Sequence, residues 1–99
     1  MFAGSYRLTR VTNFRSDVII RIEAHVADKF CVEVLGARTK LFRPFIERGV
    51  CDALSIDPSL GTVHVVVRAE DLSGETPGIM YEICACKAML TTISAAKSH

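Results

Sequence analysis

The sequence predicts a small α+β domain of two layers, an antiparallel sheet with two helices on one side. Three observations carry this. Two segments alternate apolar and polar residues with the period of a strand, Asp17 to Val26 and Thr62 to Glu70. A later segment, Ile79 to Ile93, repeats apolar residues at spacings of four and three, the period of a helix. With 99 residues in all, the chain has surface to bury in one core and too little for a second, so one domain over 1–99 is expected.

The elements are taken in chain order. Ser5 to Thr12 sets Tyr6 and Leu8 on one face and Arg7 on the other, a short alternation suited to an edge strand. In Asp17 to Val26 the inward set is Val18, Ile20, Ile22, Ala24 and Val26, against Arg21, Glu23 and His25. Lys29 to Leu35 places Phe30, Val32 and Val34 together, and the short turn at Ala27 and Asp28 predicts a hairpin between these two strands. Gly36 and Ala37 end it. Leu41, Phe45 and Ile46 then mark a helix starting near Leu41 to Pro44, because proline is tolerated in a first turn and breaks a helix interior. Asp57, Pro58, Ser59 and Gly61 supply turn chemistry. Thr62 to Glu70 is β-branched throughout its apolar face, Val63, Val65 and Val67, and reads as a central strand. Thr76 as a cap and Pro77 as first helical residue open a helix over about 77–96.

That last helix is nearly apolar all round. Ile79, Ile83, Cys86, Leu90 and Ile93 form one stripe, and Tyr81, Ala85, Ala88 and Thr92 the opposite one. A helix of this kind is covered on more than one side, by its own sheet or by a partner, so the first stripe is a candidate interaction surface for a homo-oligomer or another protein.

Composition excludes several function classes. Hydrophobic residues make up 49% and charged residues 23%, a globular profile and not a disordered one. The first twelve residues lack the apolar core of a signal peptide, and no run of about 18 consecutive apolar residues occurs, so a cytoplasmic protein without a membrane span is expected. In that compartment Cys31, Cys51, Cys84 and Cys86 are expected as reduced, mostly buried thiols. Positions 1–50 hold nine Lys or Arg against five Asp or Glu (+4), and 51–99 hold three against six (−3). Such asymmetry favours a basic side that meets an anionic ligand, yet with few aromatics to stack on bases nucleic acid is not expected.

Catalytic signatures are absent from the sequence: it holds no P-loop, dinucleotide fingerprint or nucleophile elbow. Cys84 and Cys86 point about 200° apart on a helix and cannot grip one ion together. His25, His64 and His99 show none of the usual spacing to cysteines, so no metal is expected. His25 or His64 could act as a general base only if a pocket joined one of them to the arginines. Arg7, Arg10, Arg15 and Arg21 would gather about an anion if the first two strands pair.

One stretch carries a resemblance. Ser16-Asp17-Val18-Ile19-Ile20-Arg21-Ile22-Glu23, Lys29 to Val34, Phe45-Ile46-Glu47-Arg48, Ala53 to Asp57 and Val65 to Glu70 together resemble the acyl carrier (γ or δ) subunits of citrate lyase and malonate decarboxylase. The likeness runs from Phe14 to Leu72 and has no counterpart for the last helix. It implies a non-catalytic carrier subunit of a multi-subunit lyase or decarboxylase, working with partner subunits. A phosphoribosyl-dephospho-coenzyme A group, ending in a phosphopantetheine arm, would be joined to Ser16 beside Asp17, with Arg15 and Arg21 neutralising its phosphates. Family members place the modified serine one residue further from the Asp, where this chain has Arg15. The alternative reading is a self-associating scaffold or protein-interaction domain built on the apolar stripe of the last helix.

Overall fold

The computed structural model describes residues 1–11, 15–36 and 39–98. Phe14, Ala37 and His99, which enter the readings above, lie outside them. The chain runs β1 (Phe2–Val11), β2 (Arg15–Val26), β3 (Cys31–Leu35), α1 (Thr39–Ile56), β4 (Val63–Asp71) and α2 (Gly78–Lys97). The four strands form one sheet in the order β1-β2-β4-β3, and both helices pack on one face of it, giving the expected two-layer α+β domain.

The sheet is mixed, not wholly antiparallel. β1 pairs with β2 and β2 with β4 antiparallel, but β3 lies parallel to β4. The hairpin expected between β2 and β3 is therefore replaced by one between β1 and β2. The reason lies in how much each strand can bury. Val63, Val65 and Val67 of β4 are fully enclosed, and a strand of that kind gains most from neighbours on both edges. β3 has five residues, of which Cys31 and Glu33 are exposed, and it takes the edge. A parallel neighbour demands a crossover of a dozen or more residues, and the 18 residues of α1 provide it.

Strand faces follow the alternation read from the sequence except at the end of β2, where Val26, read as inward, lies beyond Ala24, the last buried residue of the strand, and is 72% exposed. Val18, Ile20, Ile22 and Ala24 of β2 and the three valines of β4 point to the helices, while Arg21, Glu23, His64 and Arg68 line the open face. Against the sheet lie Ile46, Val50 and Ala53 of α1 and Tyr81, Ala85, Ala88 and Met89 of α2. Full burial of each large aliphatic side chain is worth about 1.5–3 kcal/mol. Phe42 stacks on Tyr81 at 4.3 Å between ring centres, joining the two helices above the sheet.

Both helices depart from their expected detail. α1 begins at Thr39, so Pro44 is its sixth residue; the bond it forgoes is to the carbonyl of residue 40, close to the helix start. α2 begins at Gly78 with Pro77 as its N-cap and no side-chain cap. Of the stripe Ile79, Ile83, Cys86, Leu90 and Ile93, Ile93 alone is fully buried, and Ile79 is 47% exposed. The buried side is the other one, Tyr81, Cys84, Ala85, Ala88, Met89 and Thr92. Small side chains there let backbones come close: a Cβ at Gly49 of α1 would stand 2.3 Å from the Glu82 carbonyl of α2, and one at Gly4 of β1 would stand 2.6 Å from the Thr92 nitrogen. At 20 residues α2 is also, by length and composition, apolar enough to cross a bilayer, although polar residues interrupt its apolar run.

All four cysteines are free. Cys84 alone is buried; its thiol donates to the Tyr6 carbonyl at 3.3 Å, and burial pushes its pKa up to about 11. Cys31 and Cys51 are exposed, contrary to the expectation of mostly buried thiols.

Asp71 ends β4 and organises the connection to α2. Its carboxylate accepts from the backbone N–H groups of Ser73 (3.1 Å), Gly74 (3.0 Å) and Thr76 (3.1 Å), from the Thr76 hydroxyl (2.8 Å) and from Tyr81 Oη (3.1 Å). Thr76 thus braces this turn instead of capping the helix. Partial burial raises the Asp71 pKa, but the hydrogen bonds from Thr76, Ser73 and Gly74 outweigh it and hold the carboxyl below its ordinary value.

Two variants, Gly49→Ala and Asp71→Asn, test this frame, with Cys51→Ala as a control. Gly49→Ala forces α1 and α2 apart and is expected to lower the unfolding free energy by about 1–3 kcal/mol in denaturant titration, whereas Cys51→Ala, two residues on and exposed, leaves it within about 0.5 kcal/mol. For Asp71, a depressed folded pKa means the stabilisation is complete above the unfolded value of about 3.9 and is lost as pH falls through the folded one. Asp71→Asn is expected to cost about 2–3 kcal/mol at neutral pH and to flatten the decline in stability below about pH 4; an acid limb as steep as that of the parent chain would refute the assignment.

Candidate functional site

The pairing of β1 with β2 brings Arg10 opposite Ser16 and Val11 opposite Arg15 at one end of the sheet. The β4–α2 connection lies across the start of β2. Leu72 donates its N–H to the Asp17 carbonyl at 2.7 Å, and the Asp17 N–H donates to Thr76 Oγ1 at 3.2 Å. Ser73 Oγ stands 3.0 Å from the Arg15 carbonyl and 2.9 Å from Asp71 Oδ1, sharing its one proton between them. Between hairpin and connection is a cleft of about 390 Å³, walled by Arg10, Arg15, Ser16, Asp17, Ser73 and Glu75 among others.

Ser16 falls in phase with Val18 and Ile20, on the helix side of the sheet, and is 4% exposed. The sequence reading put its hydroxyl at an exposed strand start; it lies instead on the inner wall of the cleft. Asp17 is held from the other face of the strand by Arg7, whose Nε donates to Oδ1 at 3.0 Å and whose terminal nitrogen donates to Oδ2 at 2.9 Å. This fork neutralises the aspartate, and the hydrogen bond to Asp17 followed by its charge raises the Arg7 pKa.

The other arginines are consumed in the same way. Arg21 pairs with Glu70, Arg43 with Glu47, Arg48 with Glu82 and Arg68 with Glu23. Among the described residues, Arg10 and Arg15 are the arginines without an ion pair, and both wall the cleft. Two carboxylates also line the cleft, but that of Asp17 is neutralised by Arg7, so the two unpaired guanidinium groups outweigh Glu75 and the cleft favours an anion. Arg21, expected to join Arg15, is five residues along β2 from Ser16, about 17 Å at roughly 3.3–3.4 Å per residue, and is engaged by Glu70. The structure brings together Arg15, Ser16 and Asp17 and adds Arg10; it separates Arg21 and commits Arg7 to Asp17.

The expected interaction residues lie elsewhere. Ile83, Cys86 and Leu90 line a shallow apolar groove of about 310 Å³ on the outer side of α2, bordered by Asp52, Glu82 and Lys87. Ile79 extends this face toward the helix start, and Ile93 belongs to the core. His25 and His64 stand opposite each other on the open face of the sheet. Ten residues of β2 separate His25 from Arg15, so no shared pocket makes either histidine a general base beside the arginines.

Sequence reasoning missed the second wall of the cleft. Ser73 and Glu75 are nearly 60 residues from Arg15 in the chain, and no local motif links them. The signal that could have found them is Asp71-Leu72-Ser73-Gly74-Glu75-Thr76, an acidic residue followed by N–H and hydroxyl donors at turn spacing.

No family model matches the chain, and no curated protein matches it. Among solved structures it is similar to a crystal structure of a protein from Thermus thermophilus, with a TM-score of 0.67 and 19% identity. The match covers 95% of this chain and 16% of that one, so the chain spans a small part of that protein's length. At this identity the likeness is one of fold, and it shows the two-layer arrangement recurring inside a longer polypeptide.

Proposed function

We propose that the chain is a non-catalytic carrier domain that presents an acyl group on a coenzyme-A-derived arm, joined by a phosphodiester to Ser16. The observation that carries this reading is the pair of unpaired guanidinium groups, Arg10 and Arg15, on the wall that also holds the Ser16 hydroxyl. A phosphodiester keeps a negative charge at every physiological pH, and a planar guanidinium meets two of its oxygens at once. The resemblance of the Phe14 to Leu72 stretch to acyl carrier subunits supports the same position, with phosphoribosyl-dephospho-coenzyme A as the group. A carrier needs no acid, base or nucleophile of its own, since cytoplasmic partner subunits perform transfer and cleavage.

The low exposure of Ser16 shapes the proposal. Attachment proceeds through the mouth of the cleft, and the Ser73–Thr76 connection must give way for the phosphate to reach Oγ. Once linked, the phosphate lies against Arg10 and Arg15 and the long arm leaves toward solvent. A second reading, self-association, is favoured by the exposure of Ile79 and by the Ile83–Leu90 groove on α2.

Intact mass of the protein from its native host separates the two. The carrier reading expects a mass above the unmodified 10.9 kDa, with a phosphopantetheine-containing adduct on the peptide around Ser16 that disappears in Ser16→Ala. An unmodified chain in a host whose attachment machinery is active on its other substrates would sink it. In the self-association reading, Ile83→Asp turns an oligomer into a monomer in sedimentation; an unchanged sedimentation coefficient would remove that reading.

A further inference from the structure

A second groove runs along the outer edge of the sheet, where β1 meets α2. It encloses about 320 Å³ and is lined by five consecutive residues of β1, Tyr6 to Arg10, and by Met80, Ile83 and Lys87 of α2. Successive residues of a strand point to opposite faces, so a cavity touched by all five reaches the backbone at the strand's edge. Among the described residues β1 has a ladder to β2 alone, paired without a break from Phe2 opposite Ala24 to Val11 opposite Arg15. An edge strand of ten residues with no proline and no bulge keeps a row of N–H and C=O groups open to a further strand. β3, at the other edge, has five residues.

Charge decides which strand this edge takes. β1 carries Arg7 and Arg10 and no acidic residue. Arg7 is bound to Asp17, but Arg10 and, across the groove, Lys87 have no ion pair among the described residues; Lys87 Nζ lies 5.3 Å from the centre of the Tyr6 ring. A second copy of β1 laid on the first would bring two further arginines to a border that holds no acid, and like charges across a strand pair repel. A strand bearing Asp or Glu complements it, and Tyr6, Met80 and Ile83 add apolar surface for its other side chains.

We propose that this groove binds an extended acidic segment of a partner protein, added to the sheet as a fifth strand beside β1. Main-chain hydrogen bonds to the β1 edge hold the segment, its apolar side chains lie against Tyr6, Met80 and Ile83, and its carboxylates meet Arg10 and Lys87. Five strand residues span about 17 Å, so a segment of about five or six residues fills the groove. Arg10 also walls the cleft at Ser16 and Lys87 does not, so the two sites abut and can be tested apart. Strand addition requires no group on Ser16.

The test is an amide-resolved NMR titration of the full chain with an acetylated, amidated heptapeptide of alternating valine and glutamate. Shift changes are expected at Tyr6 to Arg10 and at Met80, Ile83 and Lys87, with slowed hydrogen exchange at the outward amides of β1. Lys87 is exposed, so Lys87→Glu is expected to keep the rest of the spectrum and to weaken binding about fivefold or more. A valine–lysine peptide is expected to bind weaker by a similar factor, and the valine–glutamate peptide N-methylated at every residue, which cannot donate to a ladder, is expected not to bind. The proposal is overturned by the absence of shifts at β1 with millimolar peptide, or by an affinity within about twofold of the parent pair for Lys87→Glu, the valine–lysine peptide or the N-methylated peptide. A free protein that sediments as a dimer with its β1 amides already protected gives the edge to a second copy and overturns it as well.

Discussion

The carboxylate of Asp71 is the constraint from which the rest of this architecture can be traced. It sits at the last position of β4, in phase with the enclosed valines, where an ionised group survives only if its oxygens are satisfied. The next few residues of the chain satisfy them: three backbone N–H groups and the hydroxyl of Thr76, then the phenol of Tyr81 from the first turns of α2. The connection is thereby folded tightly onto the sheet end. With it in place, Thr76 Oγ1 receives the Asp17 N–H, and Ser73 reaches the Arg15 carbonyl. The entry of α2, the start of β2 and the second wall of the cleft therefore share one anchor.

Tyr81, positioned by that anchor, decides which side of α2 is buried. Hydrophobicity leaves the choice open, since both sides of the helix are apolar. Shape settles it. Ala85, Ala88 and Thr92 follow Tyr81 along the same side, and opposite them Gly4 and Gly49 offer backbone without side chains, so the helix sits closer than isoleucines would allow. The large residues Ile79, Ile83 and Leu90 are left at the outer border, where they fill the margins with α1 or face solvent.

This explains how far the sequence could be read. Periodicity reports which residues share a face of a strand, and the inward sets of β2, apart from the exposed Val26, and of β4 were legible for that reason. It carries no information on which strands are neighbours. The short Ala27–Asp28 turn pointed to a β2–β3 hairpin, and the competition for the two edges of β4 overrode it. For α2 both stripes are apolar, so periodicity left open which one the sheet covers, and close packing decided it. At the cleft, Arg15, Ser16 and Asp17 were legible as neighbours in sequence. The importance of Arg10 was not, because what distinguishes it is the lack of an acidic partner, a property that exists only once every other pairing is known.

Charge shows the same principle at the scale of the whole domain. The two halves of the chain differ by seven units, from +4 to −3, which read as a polar surface with a basic side. The topology undoes most of it. β4, from the second half, is inserted between β2 and β3, from the first, and α2 packs on α1, so arginines of one half meet acids of the other: Arg21 with Glu70, Arg48 with Glu82, and in the opposite sense Arg68 with Glu23. Such exposed pairs add little stability, about 0–1 kcal/mol each, but they cancel the field of the groups they join. What remains uncancelled is then a better guide to function than the total. Arg7 is spent on Asp17, the open-face arginines Arg21 and Arg68 are paired across their strands, and among the described arginines Arg10 and Arg15 are left uncancelled. A cleft that keeps two guanidinium groups free while the other described arginines are paired holds the charge that the proposed phosphodiester would meet.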